Sequence, residues 1–355
     1  MDMEVYFEEM PGNGGNLGII TLNRPQALNS LNLNMVHAMM QQLTQWEVDD
    51  HIKAVVIRAV PGKAFCAGGD IRLAYERMQT HAADVAEFFR HEYQLNRKIY
   101  HYGKPYIALL NGITMGGGVG ISLHGSHRVA TEKLVFAMPE TGIGFFPDVG
   151  GTYFLPRIPD RIGIYLGLTG ERIDAHTCLQ LGIVTHTVAE DAILTIPEKL
   201  AQQPFGHDAK KSVSDILQAL HITLAPSELL SQQSIIRQYF SADKMETIMQ
   251  TLANSADEFC QHTLKQLQKK SPTSLKVSLL AMQKGSQQDF DAGMRMEYRL
   301  VNRFLQGHDF AEGIRALIID KDQKPAWSPD SLQAVSDEEV AAYFVPITEE
   351  LTYIQ

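Results

Sequence analysis

Residues 111–152 read NGITMGGGVGISLHGSHRVATEKLVFAMPETGIGFFPDVGGT, and the reading of this stretch decides the fold. Gly116, Gly117 and Gly118 stand in a row just ahead of a segment with helical spacing. Glu140 follows a short strand-like run at 133–137, and Asp148 comes eight residues later inside a Phe-Phe-Pro-Asp-Val-Gly-Gly turn. A glycine run that opens a helix presents backbone N–H groups with no side chain in the way, and such donors hold a negatively charged oxygen. Two carboxylates on nearby rigid turns can act on the group that carries that oxygen. Glu140 sits behind Pro139, in a stretch too apolar for a solvated face. A carboxylate in such surroundings has its pKa raised by desolvation, which suits proton transfer near neutrality. The plainer roles are a helix cap or ion pair for Glu140, and a cap ahead of Val149 for Asp148.

Working outward from this stretch, residues 105–110 and 54–60 are short apolar runs that suit buried strands. Residues 4–8 and 17–22 read as a hairpin joined by PGNGGN. Residues 33–46 have apolar positions at helical spacing, with Asn32 or Ser30 as the cap. The segment 71–100 is mostly helical, residues 128–130 and 134–137 close the strand set, and 183–188 reads as one more strand. Strands that alternate with helices predict an α/β protein with parallel pairing and crossover connections. After about residue 190 the strand signal fades and the chain reads as helical. QQPFGHD at 202–208 reads as a linker, and 322–329 as irregular.

A second glycine turn, KAFCAGGD at 63–70, also follows a buried strand. Loops at the carboxyl ends of parallel strands gather on one edge, where ligands bind. The N–H of Gly69 is therefore expected to converge with that of Gly117. Its plainer reading is a tight strand-to-helix turn, with Cys66 filling it as a small residue rather than acting as a nucleophile.

Composition removes several classes of function. A net charge of −10 leaves no overall basic field, so nucleic acid is not an expected partner. The pairs Lys210-Lys211 and Lys269-Lys270 read as solvated faces. Three scattered cysteines form no CxxC pair and no disulfide framework, which fits a reducing compartment. The acidic start MDMEVYFEEM has no apolar core of a signal peptide, and no run approaches the roughly 18–20 apolar residues of a membrane span. A cytoplasmic protein with no membrane partner is expected. The glycine run is not a dinucleotide fingerprint, because Leu123 stands where the third glycine of GxGxxG belongs. HExxH is absent, although His91-Glu92 occurs, and no metal site is expected.

Taken in order, these stretches resemble the enoyl-CoA hydratase/isomerase superfamily and its crotonase fold. The matching motifs are NRPQALNSLN at 23–32, KAFCAGGDIR at 63–72, KPYIALLNGITMGGGVG at 104–120 and the Pro-Glu turn at 139–140. DFAEGIRALIIDKD at 309–322 resembles the family's C-terminal helix. The resemblance implies a spiral of ββα units with a helical C-terminal region. It divides the chain into a core at 1–200, carrying the CoA-thioester site, and a helical region at 201–355. It implies that the thioester oxygen lies between the N–H groups of Gly69 and Gly117. Ala67, Gly68, Asp70, Ile71 and Gly116 would lie against the substrate, with Ala67 and Ile71 along the adenine end of coenzyme A.

Within the superfamily the details point to a thioester-hydrolysing branch. Hydratases carry a second glutamate where this chain has Gly120, and a Pro-Gly-x-Gly-Gly turn where this chain has PDVGG. FFRHEYQLN at 88–96 supports the same branch and implies a substrate contact at Glu92, whose plainer reading is a surface ion pair. The implied reaction cleaves a short branched 3-hydroxyacyl-CoA, with Glu140 as base or nucleophile and Asp148 accepting from the 3-hydroxyl. Coenzyme A is then part of the substrate, and no separate cofactor or metal is needed. The superfamily often forms trimers or hexamers, which implies a homo-oligomer unless the C-terminal helices cover that surface.

Overall fold

The computed structural model describes residues 3–78, 80, 82–206 and 208–353. Its chain divides into two compact units, each assembled from three separate stretches of sequence. Unit 1 comprises Met1–Asp70, Gln94–Phe136 and Ile173–Ser227, and unit 2 comprises Ile71–Tyr93, Ala137–Arg172 and Glu228–Gln355.

Unit 1 is built on two sheets. The strands in chain order are β1 (Val5–Met10), β2 (Asn16–Leu22), β3 (Ile52–Ala59), β4 (Ala64–Cys66), β5 (Tyr106–Leu110), β6 (Ile113–Met115), β7 (His127–Ala130), β8 (Val135–Ala137), β9 (Ile173–Asp174) and β10 (His186–Thr187). The six-stranded sheet runs β1-β2-β3-β5-β7-β10, and the four-stranded sheet runs β4-β6-β8-β9. β1 and β2 form the expected antiparallel hairpin, with Val5 opposite Leu22. From β2 onward the larger sheet is parallel. Its central strands are apolar without alternation because both faces are covered. On one face Leu17, Ile19, Val56, Ile107, Leu109 and Val129 pack with Ile196, Leu200, Val213 and Leu217 from the following helices. Residue 18 points the other way, and there the indole of Trp46 lies against Gly18. Trp46 belongs to helix Leu33–Val48, which Asn32 caps by accepting from the N–H of Met35 at 3.0 Å.

The sequence reading differs from the structure in three places within this unit. The run 183–188 is paired only at His186–Thr187. The three-residue strands β4 and β6 were not anticipated, because three residues are too few to show a period. Residues 202–206 continue inside unit 1, which runs on to Ser227, and His207 lies outside the described residues.

Unit 2 is helical. The segment 71–100 is two helices, Ile71–Met78 and Ala82–Tyr100, the second running on past the end of this unit at Tyr93. Helix Ile162–Thr169 is buried at all eight positions, which accounts for its lack of a polar face. Helices Pro272–Gly285, Phe290–Phe304 and Asp309–Ile314 supply most of the remaining core. Phe145 lies in an aromatic cluster with Phe89, Phe146, Phe304 and Phe310, stacked on Phe310 at 4.5 Å between centroids. Among the described residues no helix is long and apolar enough to cross a membrane.

Candidate functional site

In unit 1 the two glycine turns leave the same edge of the smaller sheet. β4 and β6 are parallel neighbours, with Cys66 opposite Thr114, so the loops that follow them emerge side by side. A side-chain carbon at Gly68 would stand 3.7 Å from the nitrogen of Gly117. At Gly118 any side chain would overlap the carbonyl of Cys66, so only glycine allows this approach. Cys66 is fully buried beneath the loop and fills space there, the plainer of its two roles.

The 23–32 motif holds the 67–70 loop in place. Ala67 N–H donates to Leu28 O at 3.0 Å, Leu31 N–H to Gly68 O at 2.8 Å, and Asp70 N–H to Leu31 O at 2.8 Å. This bridge uses the oxygen of Gly68 and the N–H of Asp70, so the N–H of Gly69 stays outside it. The side chain of Asp70 pairs with Arg24 at 2.6 Å. Gly117 opens the short helix Gly117–Gly120, where the first N–H groups have no intrahelical acceptor. Gly116 precedes it as the cap. Ile71, expected along the adenine end of coenzyme A, opens helix Ile71–Met78 of unit 2.

Unit 2 brings the expected carboxylates together. Glu140 opens a single 3₁₀ turn, Glu140–Ile143, and is 6% exposed; its Oε2 has no hydrogen-bond partner. Asp148 is 4% exposed, and its Oδ2 accepts from the hydroxyl of Tyr93 at 2.8 Å. Glu92 is buried rather than on the surface, and its Oε1 also lacks a partner, which removes the surface ion pair as its role. A fourth carboxylate, Glu297 on helix Phe290–Phe304, is 0% exposed. It accepts from Gly150 N–H at 2.8 Å, Thr152 N–H at 3.0 Å and Thr152 Oγ1 at 2.6 Å.

Burial pushes all four upward in pKa. Asp148 rises to about 7, with the Tyr93 hydrogen bond pulling the other way. Glu297 rises to about 8, its Thr152 and Gly150 donors opposing. Glu92 and Glu140 are held well above the usual carboxylate range, first by burial and then by the charge of Asp148. Buried neighbours of like charge cannot all ionise together, so these carboxyls titrate as a coupled set displaced upward, with Asp148 itself brought close to neutrality. That is the range in which a carboxylate both takes and returns a proton.

One cation offsets this charge. Lys270 is half-buried, with its ammonium 3.3 Å and 3.6 Å from where side chains would begin at Gly142 and Gly170. Burial lowers its pKa to about 8, with Glu140 pulling it back up. This corrects the reading of Lys269-Lys270 as a solvated pair: Lys269 is exposed, but Lys270 turns inward where two glycines leave room.

The Glu140 turn is backed by the DFAEG motif. A side chain at Gly313 would overlap the backbone of Ile143, so helix Asp309–Ile314 approaches the turn as closely as glycine permits. Asp309 is fixed in turn by Ser271 Oγ at 2.5 Å and by Ser328 N–H at 2.8 Å.

Sequence reasoning missed Tyr93, Lys270 and Glu297. Glu297 had a signal, since it lies on the apolar stripe Phe290, Gly293, Met294, Val301, Phe304 of its helix. A charge on such a stripe must be paired or functional.

A family model described as Enoyl-CoA hydratase/isomerase matches residues 17–344. The chain belongs to the enoyl-CoA hydratase/isomerase family. Curated relatives include the protein named "3-hydroxyisobutyryl-CoA hydrolase, mitochondrial" of Danio rerio, 44% identical over 98% of this chain and 90% of that one. The protein of the same name in Homo sapiens is 43% identical over 93% of this chain and 86% of that one. Among solved structures, a carnitinyl-CoA dehydratase from Mycobacterium thermoresistibile superposes with a TM-score of 0.91 at 34% identity, covering 99% of both chains. These matches carry the family's crotonase fold across the whole chain. The expected cytoplasmic location finds no support among these curated relatives, whose names place them in mitochondria.

Proposed function

We propose that this family member hydrolyses the thioester of a short branched 3-hydroxyacyl-CoA, with 3-hydroxyisobutyryl-CoA, an intermediate of valine breakdown, as its substrate. The observation that carries the reading is the pairing of a buried Glu140, one oxygen without a partner, with a buried Asp148 in the turn where hydratases have glycine. Its support is the identity of 43–44% to proteins named for this hydrolysis.

Hydrolysis adds an oxygen nucleophile to the acyl carbon and drives the carbonyl electrons onto oxygen. The N–H groups of Gly69 and Gly117 stabilise that oxyanion, at roughly 3 kcal/mol for each donor. Glu140 removes the proton from water as it attacks, or attacks the carbon itself to give an anhydride that water then opens. Collapse of the oxyanion breaks the C–S bond. Coenzyme A leaves as the thiol after taking up one proton, and the hydroxy acid remains. Asp148 accepts from the 3-hydroxyl, Glu92 supports that end of the acyl group, and coenzyme A itself lies along Ala67, Gly68, Asp70 and Ile71.

The test is thiol release across a panel of acyl-CoA esters. Release from 3-hydroxyisobutyryl-CoA at catalytic rates is the expected result, and its absence sinks the reading. The dehydratase and hydratase titles of the solved neighbours favour a second reading, water addition across an enoyl double bond. Gly120 stands against it, and turnover of crotonyl-CoA to the 3-hydroxy product without thiol release would establish it.

A further inference from the structure

We propose that Glu297 is a positioning residue for the acyl group's hydroxyl, clamping the Asp148 turn so that the Asp148 carboxylate is held at one place and angle. The inference rests on the reading of Asp148 given under the proposed function and assigns a role to a residue that touches no substrate.

Three observations carry it. First, both oxygens of Glu297 are committed to one turn: Oε2 to Gly150 N–H, and Oε1 to the N–H and hydroxyl of Thr152. A carboxyl group presents an acceptor oxygen in each of two directions, which the amide of glutamine, with one oxygen and one NH2, cannot do. Second, the turn needs holding. Val149 has a φ of 49°, a left-handed conformation that a β-branched residue avoids, and Gly150 follows at 87°. Strained backbone of this kind persists only where its surroundings over-determine it. Third, the clamp bears directly on Asp148. Gly151 N–H closes the turn onto Asp148 O at 2.7 Å, and the side chain is fixed from the other side by Tyr93. Asp148 is thus held at its backbone by the clamped turn and at its carboxylate by Tyr93. A carboxylate at 0% exposure with every hydrogen bond spent on one loop is costly to keep unless that loop's geometry matters.

The experiment measures kcat/KM for 3-hydroxyisobutyryl-CoA and for isobutyryl-CoA, which lacks the hydroxyl, in the wild type, Asp148→Asn, Glu297→Gln and Thr152→Val. The wild type is expected to favour the hydroxylated ester by about 10²-fold or more. Glu297→Gln turns an amide donor toward a backbone N–H. Its preference should fall by about tenfold or more, while the rate on isobutyryl-CoA stays within a few-fold of wild type. Thr152→Val removes one of the three donors and should lose part of the preference; it carries the test if Glu297→Gln does not fold. Parallel loss on both esters with the preference intact would mean that Glu297 only stabilises the fold, and would overturn the proposal, as would no change in either variant. A wild type that shows no preference for the hydroxylated ester, or an Asp148→Asn variant that keeps the full wild-type preference, defeats the Asp148 reading itself and takes this proposal with it. That failure shows in different proteins from a failure of Glu297 alone.

Discussion

The hydroxyl of Tyr93 donates to Oδ2 of Asp148 at 2.8 Å, with both side chains buried. The bond favours the charged carboxylate and opposes the upward push of burial on Asp148. Tyr93→Phe removes it and raises the Asp148 pKa further. A hydrogen bond to a charged group is worth about 1.5–3 kcal/mol, or roughly one to two pH units. The acid limb of the kcat/KM profile on 3-hydroxyisobutyryl-CoA should therefore move alkaline by roughly one unit. An unmoved profile would separate Tyr93 from the chemistry.

Glu140→Gln keeps the shape of the side chain but can act neither as base nor as nucleophile. Turnover should fall by roughly 10²–10⁴-fold, with acyl-CoA binding kept. A single wild-type turnover in ¹⁸O-water then reads the route. Label in the Glu140 carboxylate shows an anhydride opened at the enzyme's carbonyl. Wild-type turnover by the Gln variant removes Glu140 from the chemistry.

Gly117→Pro deletes one N–H at the first position of a helix, where proline is tolerated. The variant should fold and lose on the order of 10²–10³ in kcat. A folded protein with full activity would exclude Gly117 as an oxyanion donor.

The acid cluster also sets how stability depends on pH. Unfolded, these carboxyls release protons near pH 4. Folded, Asp148 keeps its proton to about 7 and Glu297 to about 8. Between those limits the folded state binds more protons, so their contribution is full below pH 4 and is lost as pH rises through 7 and 8. Asp148→Asn should accordingly melt above the wild type at pH 8, by ~1 kcal/mol or more, and close to it at pH 5. An equal shift at both values would contradict the raised pKa. His127 acts in the opposite sense: burial lowers it to about 4, and its contribution is lost as pH falls from 6.5.

Gly313→Ala places a methyl group on the backbone of Ile143. Forcing these apart should cost about 1–3 kcal/mol in a thermal or urea melt. Activity should fall with it, because the displaced turn carries Glu140. A variant of unchanged stability and activity would show that the two backbones have room to spare.

The parallel sheet was legible because β3 and β5 are buried on both faces and write themselves as unbroken apolar runs. The glycine turns were legible because Gly118 faces a carbonyl that no side chain tolerates. β4 and β6 were not, since three residues carry no period. Tyr93 and Lys270 acquire their roles only through partners distant in sequence, and local spacing holds no trace of that. Glu92 was expected from the family resemblance alone, and what the sequence hid was its burial. Glu297 was legible in principle, as a lone charge on an apolar helical stripe, but the stripe lies far from the motifs that drew attention.

Gly313 meets Ile143 across the unit that also holds Glu140, yet it is synthesised long after it. A ribosome that has delivered the whole 111–152 stretch has delivered a glutamate with nothing behind its turn. Until helix Asp309–Ile314 emerges, the nascent chain carries every acid at 92, 140 and 148 but no scaffold to hold the 140 turn. Hydrolysis therefore waits until helix Asp309–Ile314 has been made. A chain stopped ahead of Asp309 would keep every motif between residues 23 and 152 and still lack the backing of the turn that carries Glu140.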